Sequence, residues 1–385
     1  MHDYVNNIVK IQYLLGDKQT LPDMIWDAVM KHSPSQEAVN LLAQTHHIRQ
    51  QNRAVSVLAS EVMQQRVSNL KEVLKNAELF LTADDAMAAL HAVSLYLFDG
   101  GQGKWNEFLS VACMYVTRVL EDPRYFSNYP EALEGATIKD AFVVKTTIWF
   151  DVLASITTMK PPVLLQYIRA LFRPNTSWVG TPKNYSMMSP MGCENVVVWA
   201  LAEASYLSWW KRRRLAAGDL SIRQLVYQIQ EIEPYLQAGP RPIQPQPDAE
   251  GWSRYLASEI FRTSTKLFLK SVESGDYPHV PEMRECVQET LAAILEFPKG
   301  SSEMTSAIVR NTVFGFYVCG SLTDGEHVLR TLEVQLTQSS GDEAIGNTST
   351  ISSLLRELWD ERRLTAPGHP VQWRQLLRRR EILLV

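Results

Sequence analysis

The chain has 385 residues, with 38 lysines and arginines against 42 aspartates and glutamates, a formal charge of −4, and 45% apolar content. This mix excludes wholesale disorder, collagen-like repeats and disulfide scaffolds, and it argues against a chain that coats nucleic acid through a strongly basic domain. The length is sufficient for a large buried core, in one big domain or two smaller ones.

Helical spacing dominates from the start. Tyr4, Ile8, Ile11 and Leu15 fall on one helical face. A helical pattern covers 35–80, and another runs from Asp84 to Phe98 behind Thr82-Ala83-Asp84-Asp85, a cap with acids in the first turn. Asp99-Gly100-Gly101-Gln102-Gly103 breaks it, and Trp105, Leu109, Ala112, Val116 and Leu120 resume on one side. Phe142, Trp149, Leu153 and Ile156 form a stripe that Pro161-Pro162 must stop, because proline lacks the donor and clashes with the preceding turn. Further helices are expected over 193–216, 221–236, 251–273, 281–296, 301–319, 323–338 and 348–362. Strand signals are nearly absent, since Val143-Val144 and Val196-Val197-Val198 sit inside helical patterns. The expectation is an all-α chain of packed helical hairpins, a single domain over 1–385. Its loops fall at 173–191, at the proline-rich 237–250 and at 339–350. No repeat of fixed period announces a solenoid.

Signatures of catalysis fail one by one. Gly100-Gly101-Gln102-Gly103-Lys104 lacks the first glycine and the Ser/Thr of a phosphate loop and follows a helix, so it reads as a turn. Asp84-Asp85 suggests a diphosphate-binding pair of an all-α terpene synthase, but Ala86, Met87 and Ala88 follow where a further magnesium ligand is needed. Asn195 and Glu203 imitate the second metal motif of such enzymes with Trp199 in the middle, and tryptophan cannot ligate magnesium. Helix capping accounts better for the aspartates. Adjacent residues on a helix diverge, so His46-His47 does not face one site. Cys113, Cys193, Cys286 and Cys319 contain no close pair, unlike zinc ligands, and are expected as buried thiols in a reducing compartment. Met1–Val5 shows no secretory signal, and Lys145, Asp151 and Glu203 interrupt the most apolar stretches. An intracellular, soluble protein without a membrane span is expected.

Glu203 lies in Val196–Trp210, apolar nearly all round, and therefore needs a buried partner, structural or an effector. Lys211, Arg212, Arg213 and Arg214 end that stretch. They suit a solvated helix C-terminus, and they also suit a nuclear-import signal; the two are compatible. Arg374 with Arg378-Arg379-Arg380 reads as a second solvated basic patch.

Ordered blocks resemble the fungal-specific transcription factor domain, the C-terminal regulatory region of fungal zinc-cluster transcription factors. Gly100–Leu120 is similar to its glycine turn and tryptophan-led helix, and Thr147–Ser155 with Pro161-Pro162 to its central aromatic-Asp-Val-Leu-Ala block. Met191-Gly192-Cys193-Glu194 through Trp210-Lys211 resembles its Gly-Cys helix, Thr312–Leu332 its late aliphatic-aromatic segment, and Leu358–Arg363 its closing tryptophan motif. The resemblance implies a non-catalytic nuclear regulator of RNA polymerase II transcription for a metabolic or secondary-metabolite pathway. Its partners would be other transcription proteins, a second copy, or a small effector. It implies no cofactor here, because zinc belongs to an upstream six-cysteine module that this chain does not contain. Because the net charge is negative, DNA binding by this chain is expected to be weak, non-specific and salt-sensitive at most. The alternatives are the all-α enzyme and a ligand-free helical scaffold.

Overall fold

A computed structural model describes residues 8–13, 15–16, 20–52, 56–77, 80–174, 185–237, 249–296, 302–338, 346–364 and 368–385. The first half runs α1 (Val9–Gln12), α2 (Thr20–Lys31), α3 (Ser33–Gln51), α4 (Glu61–Asn76), α5 (Ala83–Phe98), α6 (Trp105–Leu120), α7 (Tyr129–Glu134) and α8 (Ile138–Thr158). There follow α9 (Leu165–Phe172), α10 (Met188–Met191), α11 (Asn195–Ala217), α12 (Ile222–Gln230), α13 (Ala249–Ser274) and α14 (Pro281–Leu295). The last are α15 (Ser302–Asn311), α16 (Val313–Leu322), α17 (Glu326–Gln338), α18 (Thr348–Leu364) and α19 (Trp373–Arg380). Among the described residues the only β pairing is an isolated bridge between Gln102 and Ile382, so the chain is all-α.

Sequence neighbours pair as α2 with α3, α5 with α6, α13 with α14, and α17 with α18. The pairs are tied together by α3 on α5, α6 on α8, α8 on α11, α11 on α13, and α13 on α16. Buried apolar residues from Ile8 to Leu384 form one contiguous cluster. Rings run through its centre: Trp149 meets Phe261 edge-on at 4.7 Å, Phe261 stacks on Phe314, and Phe268 joins Phe314 to Trp373. Such pairs add to the area they bury when offset or T-shaped. By length and composition α8 could cross a membrane, at a mean hydropathy of 1.3, but 89% of its apolar window is buried inside the protein.

Several helix boundaries differ from the sequence pattern for local reasons. The pattern over 35–80 is two helices. Between them, Asp99 accepts from Ser56 Oγ at 2.7 Å, Val57 N at 2.8 Å and Leu58 N at 3.1 Å, which fixes a 3-10 turn at Val57–Ala59. The pattern over 301–319 breaks at Thr312 (φ −117°), whose hydroxyl bonds back to Ile308 O. The pattern over 221–236 becomes 3-10 over Glu233–Leu236, where Pro234 has no N–H to give. Helices α2, α7, α9 and α19 lie outside the predicted ranges altogether. Of the expected loops, 175–184, 238–248 and 339–345 lie outside the described residues, as do Tyr4 and residues 1–7 generally. The 339–350 segment already enters α18 at Thr348, and 173–191 contains α10.

Helix α16 is buried on every face. A Cβ on Gly315 would stand 2.6 Å from Ile260 of α13, and one on Gly320 would stand 2.8 Å from Leu355 of α18. Both glycines are required for backbones to approach this closely.

Candidate functional site

The residues singled out by sequence do not gather at one centre. Asp85 closes a capping box with Thr82, accepting from Thr82 N at 2.9 Å while Asp85 N donates to Thr82 Oγ1 at 3.2 Å. It also meets His32 Nε2 at 3.0 Å. Burial raises the Asp85 carboxyl, but the bonds from His32 and Thr82 outweigh it and hold the group below the usual range. Asp84 pairs with Lys139 Nζ at 2.8 Å. Both aspartates therefore tie the start of α5 to neighbouring elements. Among the described residues, no three His, Cys, Asp or Glu side chains come together to hold a metal, and the four cysteines are free and buried.

Glu203 has a structural partner. Arg169 of α9 donates Nε at 2.7 Å and Nη2 at 2.8 Å to its two oxygens, a bidentate fork, with the guanidinium 4.8 Å from the Tyr206 ring. One position of the aromatic-Asp block has a similar duty. Asp151 of α8 accepts from Val163 N at 3.0 Å and Leu164 N at 2.8 Å, the amides that open α9 just after Pro161-Pro162. Burial pushes its carboxyl up to about 6 against the pull of those two bonds. Lys145 donates to Ser186 O and Ser189 O, holding the described end of the 173–191 segment, and burial lowers its ammonium to about 8.

The glycine turn holds a feature that sequence reading missed. Gly100, Gly101 and Gly103 have φ of +104°, +81° and +127°. Their backbone receives the 381–383 segment: Gly103 N donates to Glu381 O, and Leu383 N to Gly101 O at 2.9 Å. Trp105 Nε1 donates to Glu381 O, Thr157 Oγ1 to Ile382 O, and Asn347 Nδ2 to Leu383 O. Ile382, Leu383 and Leu384 are buried in this slot. The glycines signalled a turn, but nothing local pointed to its distant occupant.

The basic run is divided. Lys211 Nζ donates to Val272 O at 2.5 Å and Glu273 O at 3.2 Å at the end of α13, and Arg212 donates to Met159 O at the end of α8. Arg213 lies over Trp209, and Arg214 pairs with exposed Asp219. The second patch needs a correction. Arg378, Arg379 and Arg380 are exposed, but Arg374 is only 11% exposed and pairs with Asp276 at 2.9 Å, the carboxylate that also accepts from Trp373 Nε1. Tryptophan beside arginine was the available signal, because a run of basic residues seldom places an indole in the core.

A cleft of about 310 Å³ opens between α13, α14 and the Glu233–Leu236 turn, lined by Glu233, Lys266, Lys270, Glu285, Cys286 and Glu289. Its two lysines are already matched, Lys266 to Glu289 at 2.7 Å and Lys270 to Glu273 at 2.5 Å, and Arg262 of α13 adds pairs to Glu259 and Glu289. Burial raises the Cys286 thiol, which keeps it protonated. This is an ion-pair network joining two helices.

The family profile described as Fungal specific transcription factor domain matches residues 1–385. The chain belongs to that family. This transcription factor domain is 27% identical over 179 residues to the ustiloxin B cluster transcription factor ustR of Aspergillus flavus, covering 44% of this chain and 30% of the relative. It is 24% identical over 188 residues to the trichothecene biosynthesis transcription regulator TRI10 of Trichoderma arundinaceum (49% and 42%). Transcription factor ntnD of Nectria sp is 25% identical over 205 residues (48% and 31%). The matched segments thus span less than half the length of these relatives. No solved structure matches the domain significantly.

Proposed function

We propose that the chain is the regulatory body of a fungal transcription regulator that controls a biosynthetic pathway of secondary metabolism. It acts in the nucleus by contact with transcription proteins, a second copy or a small effector, without catalysis and without a cofactor of its own. The observation that carries this reading is the family match over residues 1–385. The relatives' names, which speak of ustiloxin B and trichothecene clusters, suggest the kind of pathway. The structural engagement of Asp84, Asp85 and Glu203 also supports a body without a reaction centre. Sequence-selective DNA reading, with its zinc, belongs in this proposal to a separate six-cysteine module. Nuclear import through the basic run would rest on Arg213 and Arg214, the two members whose side chains face solvent.

The test is to tether the chain to a promoter through an unrelated DNA-binding module in a fungal host. Reporter output is expected to change several-fold relative to the module alone. An unchanged reporter, or magnesium-dependent turnover of prenyl diphosphates lost in Asp84→Ala, would count against the proposal. In the same host, R213A/R214A is expected to shift a fluorescent fusion from nucleus to cytoplasm.

A further inference from the structure

The two basic runs, far apart in sequence, meet in space. Ser208 and Arg212 lie one turn apart on α11, and Arg374 and Arg378 lie one turn apart on α19. Arg374 Nη1 donates to Ser208 Oγ at 2.5 Å, and Arg212 lies within electrostatic reach of both Arg374 and Arg378. Arg374 has its counter-charge in Asp276. Arg212 and Arg378 have no ion-pair partner among the described residues. The Arg212 guanidinium spends one nitrogen on Met159 O, and its Nε is buried without a hydrogen-bond partner. The next residues on α19 behave differently: Arg379 pairs with Glu361, and Arg380 with Glu357 at 3.0 Å. Burial, then the charges of Arg374 and Arg378, lower Arg212 from the usual arginine range. Three guanidinium charges set against the single carboxylate of Asp276 cost free energy that a bound anion relieves.

We propose that Arg212 and Arg378, backed by Arg374, form a binding site for an anionic phosphate group at the junction of α8, α11 and α19. The Arg378 guanidinium presents a bidentate fork to phosphate oxygens, and Arg212, with Nη2 on Met159 O and Nε buried, adds a donor through Nη1. The site is open to solvent at Arg378, which is exposed. The phosphoryl group can come from a small phosphate monoester or from a nucleic-acid backbone, and the inference does not depend on the regulatory reading above.

The test is thermal unfolding of the whole chain titrated with inorganic phosphate or phenyl phosphate at constant ionic strength, with chloride as reference. Both phosphates are expected to stabilise saturably. Binding should weaken about tenfold in R378Q, an exposed position whose loss leaves folding intact, and further in R212Q/R378Q, while R380Q remains unchanged. A short DNA duplex that displaces phosphate, and loses affinity in the same variants, would assign the group to nucleic acid. A duplex that does not compete assigns it to the small ester. Equal stabilisation by chloride, or undiminished phosphate binding in R212Q/R378Q, would overturn the site and leave Arg212 as a cap on α8.

Discussion

Removing the Glu203 carboxylate would leave the Arg169 guanidinium beside an apolar helix with only the Tyr206 ring for company. Arg169 is 42% exposed, so water recovers part of the loss, and Glu203→Ala is expected to cost about 2 kcal/mol rather than the larger sum for a fully buried pair. Urea unfolding at pH 7 measures this; a change below about 0.5 kcal/mol would mean that the fork is idle. Titration at His91 gives a second expectation. Burial drops its imidazole from 6.5 to about 3, so between those values the unfolded chain takes up a proton that the folded chain refuses. Stability from this group is complete above pH 6.5 and lost as pH falls toward 3. Asp151 acts oppositely. Its carboxyl is raised from 3.8 to about 6, so the fold binds a proton first and gains stability as pH falls from 6 toward 4. His91→Gln should therefore flatten the acid decline of the urea midpoint, and Asp151→Asn should steepen it.

At the scale of elements, the slot that holds 381–384 is the most exposed to single changes. Gly103 carries φ +127°, and a Cβ there would stand 2.8 Å from Tyr96 Cε1, so Gly103→Ala combines backbone strain with a clash. Leu384→Ala empties a fully buried site at an expected cost of about 3 kcal/mol. If the slot is one cooperative feature, G103A and L384A together should fall short of the sum of their separate costs, which a double-mutant cycle reads directly. Legibility in the sequence follows the same division. Helix α6 was readable because the glycine break before it and its apolar stripe are both local, and α5 because Thr82 and Asp85 close a box three residues long. The glycine turn was readable as a turn for the same reason. Its occupant, the Asp99 cap on Val57–Ala59, and the Arg374–Asp276 pair were not, because each joins segments distant in sequence that no periodicity relates. Glu203 lies between these cases: apolar surroundings announced that it needed a partner, and only packing of α9 on α11 supplied Arg169.

For the whole molecule, one contiguous core from Ile8 to Leu384 leads to the expectation of a single unfolding transition. Helical ellipticity and tryptophan emission should fall together in urea; two separated midpoints would show that the halves before and after α8 unfold independently. The chain of rings from Trp149 through Phe261, Phe314 and Phe268 to Trp373 adds a practical consequence. Trp373 is adjacent to Arg374 and is fully buried, so iodide in solution should not quench it. A ligand seated on α19 would thus be visible as a spectral change in light from the molecular interior, without any attached dye.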